Sequence, residues 1–91
     1  MQDTIPGDLQ FLTLVKDEKT AIAIAEPILF NLYGKKQILM ERPYKICLVN
    51  NDWVIFGTFP RIEGFLGFNG GTFEMILNSK NAEVKSITHG K

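Results

Sequence analysis

Residues 44–59 read YKICLVNNDWVIFGTF: two runs rich in β-branched and aromatic side chains around a pair of asparagines. Tyr44 to Val49 and Asp52 to Phe59 each read as a strand. Asparagine tolerates the left-handed backbone of tight hairpin turns, so Asn50-Asn51 predicts a β-hairpin.

Downstream the pattern repeats. Gly71 to Asn78 and Glu83 to His89 form a second predicted hairpin around Ser79-Lys80-Asn81-Ala82. In its last strand Val84 and Ile87 are out of phase for simple alternation, which predicts a bulge or partial exposure. Upstream the period changes. Asp17 is placed to cap a helix, and Ala21, Ile24, Ala25, Ile28 and Leu32 follow at steps of three and four along one face. Gly34 after Tyr33 is a helix stop, and Pro27 inside the helix predicts a kink. Lys35 to Glu41 reads as a second short helix ended by Pro43. Residues 1–16, with Pro6 and Gly7, read as a loose lead-in, or as a short strand or packed arm over Leu9 to Val15. A helix apolar on one face has to cover one side of the sheet. The expectation is a single α+β two-layer domain with its core over residues 17–91.

With 91 residues and 45% hydrophobic content, the chain has a core to build but little room for a deep pocket. Ten basic and ten acidic side chains cancel, which argues against a nucleic-acid binder working by phosphate neutralisation. The charge is uneven: residues 1–34 carry two bases against five acids, and residues 35–91 carry eight against five. Cys47 is the sole cysteine, so no internal disulfide can form, and it reads as a small buried thiol. The opening has acids where a signal peptide has bases, and no run reaches membrane-span length, so the expected location is the cytoplasm.

Catalytic chemistry is hard to find in the sequence. No Ser-His or Cys-His motif and no metal-ligand spacing stand out, and no cofactor is implied. GFNGG is followed by a strand pattern, whereas a phosphate loop requires a helix with a lysine. Asp52, Glu74 and Tyr44 are the candidates for an acid–base pair. Against that role, Asp52 follows a turn asparagine and Glu74 reads as solvent-facing. Trp53, Tyr33 and Tyr44 read as core aromatics. His89 reads as a strand-end histidine hydrogen-bonded across the sheet.

The segments AIAIAEPIL, LYGKK, ERPYK, NDWVIFGT, GGTFEMILNSKNAEV and ITHGK stand in this order from about Thr20 to Lys91. Together they resemble small bacterial immunity proteins with a nuclear-transport-factor-2-like, or cystatin-like, fold. The resemblance is carried by Tyr33, Gly34, Pro43, Tyr44, Trp53, Gly57, Thr58, Gly70, Gly71, His89, Gly90 and Lys91, positions that look mainly structural. It implies a helix packed in the concave side of a curved antiparallel sheet. It also implies a cytoplasmic, non-enzymatic protein that binds and blocks a cognate toxin domain. A small cone-fold enzyme of the isomerase or dehydratase kind is the alternative, and a homodimeric module a third.

One stretch departs from the resemblance. Residues 59–69, FPRIEGFLGFN, are longer and more apolar than the short turn expected of the family. Phe65, Leu66 and Phe68 would cap the core, pack on a second copy, or enter the toxin, with Arg61 and Glu63 at the rim of the patch.

Overall fold

The structure, a computed structural model, describes residues 13–58 and 71–90. Helix α1 spans Glu18–Tyr33 and helix α2 Lys35–Leu39. Four strands follow: β1 Lys45–Val49, β2 Asp52–Phe56, β3 Phe73–Asn78 and β4 Val84–His89. They form one antiparallel meander in the order β1-β2-β3-β4, with the helices on one face. This is the expected α+β two-layer architecture.

The local signals in the sequence act as read. The Asp17 carboxylate accepts a 2.8 Å hydrogen bond from the Thr20 amide, satisfying one of the donors that a helix start leaves free. That bond to the backbone holds the Asp17 carboxyl below its ordinary pKa of 3.8. Gly34 ends α1 at φ +93°, a left-handed value that a side chain resists, and its amide donates to the Phe30 carbonyl at 2.9 Å. Helix α1 runs through Pro27, which sits on its exposed side. Asn50 and Asn51 take φ of 50° and 70° and close the first hairpin with Val49 opposite Asp52. The second hairpin carries its predicted bulge: the β3–β4 register shifts between Ile76 and Leu77, which pair with Ser86 and Val84.

The core lies between α1 and the middle strands. Ala21, Ala25 and Leu29 repeat at steps of four and are fully buried against Trp53, Ile55, Phe73, Met75 and Leu77. The two alanines let the helix axis come close to the sheet, while Leu29 fills the wider gap beyond them. Two sequence expectations need correction. Leu32 is 54% exposed, because the buried stripe is centred on Ala21, Ala25 and Leu29 and nothing among the described residues covers its margin in the last turn. Cys47 is exposed, because it alternates onto the outer face of β1, away from the helices.

The segment before α1 is tied down at its end. Val15 is fully buried, and its amide donates to the Ser79 carbonyl at 2.9 Å. Its carbonyl accepts a 2.9 Å hydrogen bond from Trp53 Nε1. Trp53 therefore anchors the arm to the sheet as well as filling the core. Trp53→Phe leaves the Val15 carbonyl without its donor and is expected to cost about 1–3 kcal/mol. In a domain of this size each kcal/mol lowers Tm by about 4–8 °C, a loss that thermal unfolding by circular dichroism reads directly.

Candidate functional site

A group of buried and half-buried polar side chains converges on one end of the sheet, where α2 hands over to β1. Glu41 lies two residues past α2 and is fully buried, an unusual place for a carboxyl group. Burying such a group is costly unless its oxygens are satisfied. They are. Oε1 accepts from the Phe73 amide at 2.8 Å, and Oε2 accepts from Gln37 Nε2 at 2.9 Å. His89 Nε2 lies 2.8 Å from the same Oε2. The other ring nitrogen of His89 donates to the Gly90 carbonyl at 3.0 Å, and its ring packs on Tyr33 at 4.8 Å between centroids.

The backbone around Glu41 is stitched in the same place. Its carbonyl accepts from the Thr58 amide at 2.8 Å, and Thr58 Oγ1 donates to the Pro43 carbonyl at 2.9 Å. Gly57 donates to the Phe73 carbonyl at 3.1 Å, Gly71 to Gly90 at 2.9 Å and Gly90 to Thr72 at 3.1 Å. Gly57 has to be glycine for a steric reason. A Cβ there would stand 2.4 Å from Glu41 Oε1 and 2.7 Å from Glu41 Cβ. The carboxyl group occupies the space that a side chain at 57 would fill.

A second cluster flanks the first on the helix side. Glu26 Oε2 accepts from Tyr44 Oη at 2.6 Å and from Arg42 Nε and Nη2 at 2.9 and 2.6 Å. Partial burial, and then the Glu26 hydrogen bond, push the Tyr44 phenol from its ordinary 10.0 up to about 12. Tyr44 also meets Phe73 edge-on at 5.2 Å, so it couples this surface pair to the core.

Most of the positions that carry the resemblance fall in these two clusters. Tyr33, Gly57, Thr58, Gly71, His89 and Gly90 surround Glu41, Gly34 separates the helices, and Pro43 and Tyr44 lead into β1. Trp53 stands apart, at the turn end of the sheet. His89 departs from its expected role: it bonds to Glu41 beyond α2 and not across the sheet, because its side chain faces the helical layer. Asp52 is held by Lys85 Nζ at 2.8 Å, and Glu74 is exposed on the outer face. These two and Tyr44 therefore do not converge. Among the described residues, no group of three His, Cys, Asp or Glu side chains could hold a metal ion. Arg61, Glu63, Phe65, Leu66, Phe68, Gly70 and Lys91 lie outside the described residues. The residue that sequence reasoning missed is Glu41. Its one local signal is Gln37 four positions earlier, and its other partners are distant in sequence.

Comparison with known proteins agrees with the fold. The family described as "NTF2 fold immunity protein" matches residues 20–91. The chain belongs to that family. It is 30% identical over 85 residues to the uncharacterised protein YhhH of Escherichia coli K12, covering 93% of this chain and 64% of that protein. It is 34% identical over 77 residues to the uncharacterised protein YbbC of the same strain, covering 85% of this chain and 60% of the relative. The chain thus spans less than two thirds of the length of either relative. No solved structure matches it. No helix among the described residues is long and apolar enough to cross a membrane.

The Tyr44 shift gives a pH prediction. A folded-state pKa raised from 10.0 to about 12 contributes stability that is complete below pH 10.0. That contribution is lost as the pH rises towards 12. Ultraviolet titration should show one late phenolate step near pH 12 that Tyr44→Phe removes.

Proposed function

We propose that this chain protects a bacterium by binding a cognate toxin domain and blocking it one to one, in the cytoplasm and without chemistry of its own. Membership of an immunity protein family across residues 20–91 carries the reading. The roles of the polar side chains support it. Glu41 is fully buried among structural partners, Glu26 holds Tyr44 and Arg42, and Asp52 holds Lys85. A cone-fold enzyme needs acid–base groups converging on a cavity. Here Asp52 and Glu74 lie on the outer face of the sheet, and the Glu41 carboxyl is spent on the fold.

Occlusion needs a tight and selective surface. Residues 61–68 are proposed to contribute to it, on the strength of their sequence. Phe65, Leu66 and Phe68 supply apolar anchors, while Arg61 and Glu63 set specificity at the rim. The glycines between them let the backbone fit a partner, at an entropic cost on ordering.

The test is co-expression with the toxin-like domain encoded beside this gene, followed by affinity measurement on the purified pair. Growth rescue and a one-to-one complex are expected. Phe65→Ala and Phe68→Ala should each weaken binding about 30-fold, the equivalent of about 2 kcal/mol for a central anchor. Unchanged affinity with a lowered Tm would make these aromatics a core cap instead. The absence of both rescue and complex would overturn the immunity reading.

A further inference from the structure

The two edges of the sheet are built differently. At β4 the register shift interrupts the ladder, and Lys85 reaches across to Asp52. Bulges and charges of this kind blunt an edge against further pairing. Among the described residues the β1 edge has neither device. Lys45–Val49 runs in unbroken register with β2, contains no proline and carries one charge, at Lys45. Leu48 and Val49 are 54% and 49% exposed there.

The turn fixes which backbone groups of β1 point outward. In a two-residue hairpin the closing pair, here Val49 and Asp52, exchanges both main-chain hydrogen bonds, and bonded pairs then alternate along the ladder. Val49, Cys47 and Lys45 therefore turn their N–H and C=O groups towards β2. Ile46 and Leu48 turn theirs away from β2, to the side that no other described strand covers. Their side chains meanwhile lie on the helix face, beside Ile55 and Trp53.

We propose that β1 pairs with β1 of a second copy of this chain, antiparallel about a two-fold axis through Cys47, so that two four-stranded sheets join edge to edge. The strand is complementary to itself in this register. Ile46 faces Leu48 of the second copy, and these are the residues whose backbone donors and acceptors point away from β2 and have no partner among the described residues. The same contact covers the exposed Leu48 with an apolar neighbour. Lys45 faces Val49 of the second copy, so no like charges meet. Cys47 faces Cys47 at a pair without main-chain bonds, where Cα atoms are about 4.5 Å apart and within disulfide reach. An isologous pairing of this sort closes on itself and adds no further copies. Its central pairs, Ile46 with Leu48 and Cys47 with Cys47, set like against like, which favours a second copy over a foreign strand. It does not rest on the toxin-binding reading.

The test combines light scattering with cysteine-directed oxidation, at about 100 µM protein because interfaces well below the standard size are weak. Wild type should show a concentration-dependent dimer, and diamide, which takes one hydrogen from each thiol, should link Cys47 to Cys47. Cys47→Ser should keep the dimer. Cys47→Glu sets two carboxylates opposite each other and should weaken association at least tenfold, as expected for like charges juxtaposed across an interface. Cys47 is exposed, so both variants should keep wild-type circular dichroism and Tm. A wild type that stays monomeric, a dimer indifferent to Cys47→Glu, or a dimer in which diamide links no Cys47 pair overturns the proposal.

Discussion

A fully buried carboxyl group holds the two layers of this molecule together. Glu41 leaves the helical layer and enters the end of the sheet, where it accepts from the Phe73 amide and meets His89. Gln37 reaches the same oxygen from the preceding turn. The cost of burial is several kcal/mol for an unpartnered charged group, so each of these contacts is a condition of the fold. The constraint spreads outward from there. It requires a glycine at position 57 and orders the ends of β2 and β3 around one side chain.

The opposite end of the sheet is closed by other means. Trp53 fills the core beside the first hairpin turn and holds the Val15 carbonyl, while Ser79 holds the Val15 amide. Between the two anchors, α1 lies on the middle strands through Ala21, Ala25 and Leu29. Glu41, Glu26 and Asp52 are absorbed into this framework as partners of His89, Tyr44 and Lys85. What the described residues leave for recognition is surface: the outer face of the sheet and the unblunted β1 edge. The proposed binding role needs a firm scaffold more than a reactive pocket.

The sequence was legible wherever the cause is local. Asn50-Asn51 dictates a turn by its backbone tolerance, Asp17 and Gly34 mark the ends of α1, and the broken alternation of β4 announces its bulge. Burial was harder to read. Cys47 looks like a core thiol by residue type, yet strand alternation puts it outside, and Leu32 fits the helical period but falls at the margin of the buried stripe. Glu41 was invisible for a stronger reason. Its worth depends on Phe73 and His89, 32 and 48 residues away, and no short window contains them. The resemblance to immunity proteins caught the surrounding positions without showing what they surround.

The most direct test of this account is to measure Glu41→Ala twice, once for thermal stability and once for toxin protection well below its own Tm. Removing one member of a buried pair should cost about 3–5 kcal/mol and lower Tm by more than 10 °C. At a temperature where the variant is still folded, it should protect as well as wild type, because Glu41 holds the scaffold and does not act on the partner. A variant that melts like wild type but no longer protects would contradict the account, and would make the buried carboxyl part of the working site.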